Sequence, residues 1–463
     1  MSLSFKLSKT ILSTISPPIP AAYKWTPKTP KYVEVLDMSQ GIPGTPPHSF
    51  LQQSFREMSS RTDAWGYCPA EGEQSLRVAL ANEMKGIYRR RAYSISESDG
   101  DEGVDITSDD IAITSGCNLA FVATIMAIAD AGDEVILPVP WYFNHQMTLT
   151  LLGISPVPLP TYSDSSFLPS PAIASTLITP KTRAIAFVTP NNPTGAVYPP
   201  ALIKEFANLA SEKGVALILD ETYRDFIVEG RAPHGLFSSS VSLSSNPTFQ
   251  STWRSTLISL YSFSKSYRIP GHRLGAITAS PELLKEIGKV LDTLQICAPR
   301  VPQLALASSS SLSPNSRSAQ TVSPQMPWNF GPTPPSTSPS TPGERAEPGL
   351  EESISPPNLA EFAESKSVLS ALRPDIVSTS LSLHARHRLF KSTLEKEAPR
   401  WTVGSQGAYY AFVRHPFPNH SSEEVCRKLV EDAGVRALPG SFFFGGEVTS
   451  GKPRTVSPVF SGF

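Results

Sequence analysis

Residues 200–223 read Pro-Ala-Leu-Ile-Lys-Glu-Phe-Ala-Asn-Leu-Ala-Ser-Glu-Lys-Gly-Val-Ala-Leu-Ile-Leu-Asp-Glu-Thr-Tyr. Pro200 is a helix starter and Gly214 a helix stop, so the first part predicts a helix over 200–214. The run Val215 to Leu219 is apolar without interruption, the pattern of a strand buried on both faces, and it ends abruptly in the acids Asp220 and Glu221. Working outward, the same alternation recurs. Ile111-Ala112-Ile113, Glu134 to Leu137, Arg183 to Val188 and Leu257 to Tyr261 read as strands. Asn118 to Ala131 reads as a helix stopped by Gly132, and Leu76, Ala79, Leu80 and Met84 recur at helix spacing. Alternation of this kind predicts an α/β fold with a mostly parallel sheet covered by helices.

The chain has 463 residues, enough for two lobes, and a formal net charge of -1. That balance does not point to nucleic acid or to an anionic membrane as a main partner. The longest apolar stretch, Leu119 to Ala129, is too short to cross a bilayer and is closed by Asp130 and Asp133. Cys68, Cys117, Cys297 and Cys426 lie far apart without metal-ligand or redox spacing, so no metal site is expected and a reducing, cytoplasmic location is the expectation. The first thirty residues hold Lys6, Lys9 and several serines but no acid. That composition suits either a proline-containing mobile arm or an organelle transit peptide. Residues 1–45 read as an irregular arm, 46–300 as a large domain and 358–463 as a small C-terminal domain. Between the domains, 308–357 is dominated by Ser, Pro and Thr and is expected to be disordered, since it cannot bury enough apolar surface to offset its ordering entropy. A functional loop and translated intron are the other readings of this insert.

The ends of the strands carry the chemistry, and together they match the demands of pyridoxal 5'-phosphate (PLP). That cofactor needs a lysine for a Schiff base, a carboxylate at the pyridine nitrogen, donors for its phosphate and its phenolic oxygen, and a flat neighbour for the ring. Lys265 follows the strand Leu257 to Tyr261 within Tyr261-Ser262-Phe263-Ser264-Lys265, and Arg273 comes eight residues later within Gly271-His272-Arg273-Leu274-Gly275. A lysine at a strand end can be a desolvated nucleophile, Ser262 and Ser264 are small donors, and Arg273 offers a planar fork to an anion. Asp220 suits a protonated pyridine, and equally suits a plain helix cap. Tyr223 and Asn192 suit the phenolic oxygen, although Asn192-Pro193-Thr194-Gly195 alone also reads as a turn. Thr114-Ser115-Gly116-Cys117-Asn118 links a strand to a helix start, a place for an anion. Tyr142, in Pro140-Trp141-Tyr142, can stack on a ring or simply fill the core. Tyr67, in Trp65-Gly66-Tyr67, is a turn aromatic or a phosphate ligand.

In combination and in this order, these motifs resemble the class I/II aminotransferase family of fold-type-I PLP enzymes, which also holds 1-aminocyclopropane-1-carboxylate synthases and carbon–sulfur lyases. The resemblance covers roughly 41–300 and resumes over about 372–445. It implies a large PLP-binding domain and a smaller α/β domain made from the N-terminal arm and the C-terminal part. It implies Lys265 as Schiff-base lysine and proton shuttle, Asp220 at the pyridine nitrogen, and Asn192 and Tyr223 at the phenolic oxygen. It places Gly116, Cys117, Ser262 and Arg273 at the phosphate, Tyr142 on the ring and Gly41 near the substrate. Tyr67 resembles the family tyrosine that reaches the neighbouring subunit's phosphate, which implies a homodimer with shared active sites. The family's arginine for the substrate carboxylate lies near the C-terminus on a strand before a long final helix. Arg454 is the candidate here, and the chain then ends at Phe463 without that helix, as expected of a shortened small domain.

The expected reaction is transamination between an amino acid and a 2-oxo acid, with Lys265 as general base and acid. A lyase of the synthase-like kind is the alternative, because the same cofactor motifs serve both and the choice lies with substrate-side residues. A non-catalytic family member is the third reading. The regulatory version of it is disfavoured, since no basic helix-turn-helix segment precedes Gly41.

Overall fold

Strands buried on both faces explain the apolar runs. The computed structural model describes residues 3–25, 35–89, 103–227, 232–239, 241–243, 252–308, 367–444 and 458–461. Its main sheet contains, in chain order, β1 (Ile111–Thr114), β2 (Glu134–Val139), β3 (Ser155–Pro160), β4 (Thr182–Val188), β5 (Ala216–Asp220), β6 (Leu257–Ser262) and β7 (Gly275–Thr278). Across the sheet the order is β1-β7-β6-β5-β4-β2-β3. All neighbours are parallel except those of β7, which runs antiparallel to both β1 and β6. Alternate residues of β5 enter different cores: Leu217 and Leu219 pack in one apolar cluster with Ile113, Phe187 and Phe206, while Ile218 packs in the other with Ala120, Leu137 and Ile258. This two-sided burial favours an unbroken apolar strand over an alternating one.

The helices follow their start and stop signals closely, with one informative difference. Pro200–Lys213 begins at its proline and stops at Gly214, whose φ of 66° is left-handed. The helix expected over 118–131 spans Cys117–Ile128 instead. The Asp133 carboxylate accepts the Asp130 amide at 2.9 Å, so the turn through Gly132 starts before the apolar pattern runs out. Between Pro281 and Ala307 the chain forms two helices, Pro281–Gln295 and Arg300–Ala307, separated where Ile296 adopts φ 61° ahead of Pro299.

The described part of the N-terminal arm, expected to be irregular, contains the short helices Lys9–Ser13 and Pro18–Ala22. Its strand Leu36–Asp37 pairs in parallel with Val435–Arg436, and Arg436 bonds the Asp37 carboxylate at 3.2 Å. The C-terminal part forms a second sheet from β8 (Thr402–Gly407), β9 (Tyr410–Arg414), β10 (Leu438–Pro439) and β11 (Pro458–Ser461), in the order β10-β11-β9-β8. The helices Arg373–Glu397 and Ser422–Ala433 belong to this part. Arg454 and, apart from Ser308, the Ser/Pro/Thr insert lie outside the described residues. Among the described residues no helix is long and apolar enough to cross a membrane, and no cluster of His, Cys, Asp and Glu could hold a metal ion.

Candidate active site

The carboxyl ends of parallel strands leave their loops on one edge of a sheet, where a ligand crevice forms. Here the loops after β1, β2, β4, β5 and β6 meet the arm and the C-terminal sheet around a cavity of about 260 Å³. Gly41, Cys117, Tyr142, Asn192, Asp220, Tyr223, Ser262, Lys265 and Arg273 all line it.

Lys265 sits on the single helical turn Phe263–Ser266 directly after β6, a turn capped by the Ser262 hydroxyl. Its Nζ donates to the Gly41 carbonyl at 2.6 Å. Burial, and then the charge of Arg273, push its ammonium down to about 8. Gly41 is tightly placed, since a Cβ there would come within 2.6 Å of the Tyr410 Oη. Only a glycine lets the arm approach this closely.

Asp220 ends β5 and is buried. One carboxylate oxygen accepts the Thr222 amide at 3.0 Å and the Thr222 hydroxyl at 2.6 Å. The other lies 3.3 Å from Nε2 of His145, whose ring stacks on Phe121 at 3.8 Å. The two oxygens of one side chain are thus divided between the Thr222 cap and His145. A similar division holds after β4. Asn191 makes the turn, its side chain accepting from Thr194 at 2.8 and 3.1 Å and its carbonyl from Gly195 at 2.7 Å, while the neighbouring Asn192 lines the cavity. Tyr223 and Tyr410 share a hydroxyl–hydroxyl hydrogen bond of 2.5 Å, and burial pushes both phenols above their ordinary range.

An anion cradle lies at the other end. Gly116, at φ 88°, opens the helix Cys117–Ile128, whose first amides have no acceptor within the helix. A Cβ on Gly116 would collide with the Arg273 guanidinium, and one on Gly275 would stand 2.6 Å from the Cys117 amide nitrogen. The cradle is thus packed to backbone contact. Ser264 Oγ is buried beside it with no hydrogen-bond partner. Burial and Asp220 push the Cys117 thiol well up, so this residue offers its amide rather than a thiolate. Tyr142 accepts from Asn144 Nδ2 at 2.8 Å, and its ring meets His145 edge-on at 5.1 Å.

Tyr67 does not line the cavity and is 77% exposed. Two lining or supporting residues were missed from the sequence. His145 lies one helical turn beyond Tyr142, and that spacing was its only signal. Tyr410 comes from β9, with nothing near it in sequence to mark it.

The family model for aminotransferase class I and II matches residues 33–322. The chain belongs to this family. Among its curated relatives, the bifunctional aspartate aminotransferase and glutamate/aspartate-prephenate aminotransferase of Petunia hybrida is 26% identical over 239 residues, 52% of this chain and 45% of that protein. An aromatic aminotransferase of Arabidopsis thaliana is 27% identical over 274 residues, 58% of this chain and 61% of that protein. The chain thus spans less than two thirds of these class I and II aminotransferases. The fold is shared more widely. The structure of an aspartate aminotransferase from Thermus thermophilus with maleate superposes with a TM-score of 0.68 at 19% identity, covering 99% of this chain and 95% of that one.

Proposed function

We propose that this chain is a PLP-dependent aminotransferase that moves an amino group from an amino acid to a 2-oxo acid. The observation that carries the reading is the buried Lys265 amine, held between the Gly41 carbonyl and Arg273 in the same cavity as the Asp220 carboxylate. The residues fit the cofactor. Ser264 Oγ is a buried hydroxyl without a partner, next to a guanidinium and a helix start that glycines bring into backbone contact, as a phosphate requires. Arg273, Ser264, Ser262 and the amides of Cys117 and Asn118 would hold that phosphate. Asp220, backed by His145, would keep a proton on the pyridine nitrogen, and Asn192 and Tyr223 would hold the phenolic oxygen. Tyr142 would cover the ring.

When bound, the protonated ring supplies an electron sink for charge developing at the substrate α-carbon. The chain's own part is proton transfer and exclusion of water. Lys265 Nζ, its proton affinity lowered by burial, takes the substrate α-proton and later releases it within the site. Tyr410 and the arm residue Gly41 close the cavity from the C-terminal and N-terminal sides. A homodimer is part of the proposal. Trp65 and Tyr67, 75% and 77% exposed on one loop, support it as aromatics suited to a second copy.

The test is the visible spectrum of PLP-loaded protein, with Lys265→Ala as control, before and after single amino acids are added without oxo acid. A Lys265-dependent band that bleaches in one turnover is expected. Continuous release of ammonia and oxo acid would assign the chain to the lyases instead, and no Lys265-dependent band would refute the cofactor reading.

A further inference from the structure

Beside the turn that carries Lys265, and outside the cavity lining, lies a buried cluster of charges that the chemistry above does not use. Arg373 begins the helix Arg373–Glu397 and is 4% exposed. Its guanidinium pairs closely with Asp225 and lies 3.8 Å from Glu83, and both carboxylates are buried. These carboxylates also hold the residues that flank Lys265. Asp225 Oδ2 accepts the Ser266 hydroxyl at 2.6 Å and the Tyr261 hydroxyl at 2.7 Å. Glu83 accepts the Tyr267 hydroxyl at 2.9 Å. Arg268 pairs with Asp375 on the same helix as Arg373. Arg224 lies with its guanidinium carbon 3.9 Å from the Tyr261 ring centroid, so a second guanidinium adjoins the strand that leads into the turn.

Isolated charges are rarely left in a core, because removing them from water costs several kcal/mol per ion. In some proteins a buried cluster of this kind serves to fix one geometry. Residues 261, 266, 267 and 268 are each tied to a carboxylate from another element, whereas among the described residues the Lys265 amine bonds the Gly41 carbonyl alone. We propose that Arg373, through Asp225 and Glu83, is a positioning residue that fixes the turn carrying Lys265 and so keeps its amine buried and aimed into the cavity. The proposal rests on Lys265 being the reactive amine of the function proposed above. It adds that the C-terminal helix sets this amine's burial.

The cluster makes the sign of the effect definite. The amine faces the Gly41 carbonyl and Arg273, with Asp220, Tyr223, Tyr142 and Tyr410 on the same cavity. Loosening the turn admits water to Nζ, and removing Arg373 removes a positive charge. Both changes favour the protonated amine, so its titration midpoint must rise toward the ordinary lysine value.

The experiment measures Lys265 directly in cofactor-free protein. Competitive acetylation across pH, read by mass spectrometry on the Lys265 peptide, gives its midpoint in wild type, Arg373→Met, Arg373→Lys and Ser266→Ala. The expected wild-type midpoint is about 8. Arg373→Met is expected to raise it by about one unit or more, and Arg373→Lys to restore most of the shift. Ser266→Ala changes no charge and removes one hydrogen bond, so it is the variant to rely on should Arg373→Met fail to fold. A rise of about half a unit there, with an unchanged far-ultraviolet spectrum, supports positioning over simple charge loss. An unchanged midpoint in folded Ser266→Ala, or in folded Arg373→Met, overturns the proposal. Failure of the functional reading is told apart, because it would appear as a missing Lys265-dependent band in PLP-loaded wild type while the labelling midpoints stand on their own.

Discussion

Replacing Gly41 by alanine puts one methyl group where three elements meet. A Cβ at Gly41 would lie 2.6 Å from Tyr410 Oη and 2.7 Å from its Cζ, while ordinary contact begins at 3.4 Å. The ring must therefore retreat by about 0.8 Å, the difference between 3.4 and 2.6 Å, or the arm must lift by as much. If the ring moves along the hydroxyl–hydroxyl bond to Tyr223, now 2.5 Å, that bond reaches about 3.3 Å and is lost. If the arm moves instead, the 2.6 Å bond from Lys265 to the Gly41 carbonyl is lost. Overpacking costs about 1–3 kcal/mol, and one broken hydrogen bond about 1 kcal/mol more. Expressed in the transition state, a sum of about 2–4 kcal/mol is about a 30- to 1,000-fold fall in kcat/KM. The assay is the single-turnover bleaching of PLP-loaded Gly41→Ala by an amino-acid donor, with Tyr410→Leu and the double variant completing a cycle. Leucine ends short of the ring's far side, so Gly41→Ala should cost much less in that background. A Gly41→Ala protein within about twofold of wild type, or an equal cost in both backgrounds, refutes the close approach of the arm to Tyr410.

Further expectations follow from the same geometry. Burial, and then Arg273, push the Lys265 ammonium down to about 8 in the folded chain, from 10.5 when free. Below pH 8 both states carry the proton and the burial penalty is complete; between 8 and 10.5 the folded state releases it first, so wild-type stability rises with pH. Cofactor-free Lys265→Met should therefore be more stable than wild type by roughly 3 kcal/mol at pH 7, with the gap closing as pH rises, as thermal melts at several pH values would show. Asp220→Asn keeps an oxygen for Thr222, so its melting should hardly change, while the bleaching rate falls about 10²- to 10³-fold; an unchanged rate would remove Asp220 from the mechanism. Ile19, Ile42 and Phe443 line the cavity, so a donor with a second carboxylate brings an unpaired charge against apolar groups. Leucine or phenylalanine should exceed aspartate in kcat/KM by about tenfold or more, and aspartate as the best donor would contradict this.

Much of the cavity lining was legible because its residues are placed where local patterns are sharp. Asp220, Lys265 and Asn192 each follow a strand that is apolar enough to be read from its composition, and Gly116 and Gly275 mark the close contacts around Arg273. Patterns that were misread turned on competition among local bonds. The helix over 117–128 ends early because Asp133 captures the Asp130 amide, although the apolar run continues to Ala129. The arm's pairing of Leu36–Asp37 with Val435–Arg436 joins opposite ends of the chain and has no local signature.

The residues that escaped the reading share one cause. His145 contacts Asp220 from a different strand-to-helix unit, and Tyr410 reaches Tyr223 from the second sheet. Lys265 shows both sides of this within four residues. Its identity is carried by a local motif, Ser262 to Arg273. Its setting is not, since Ser266, Tyr267 and Arg268 bond Asp225, Glu83 and Asp375, which come from three separate elements. On the two proposals above, the local motif supplies the amine, while its burial depends on how the helix Arg373–Glu397 docks against the turn that carries it. A family member with an intact motif and a displaced helix would then keep the lysine and lose the lowered proton affinity on which its role as a base depends.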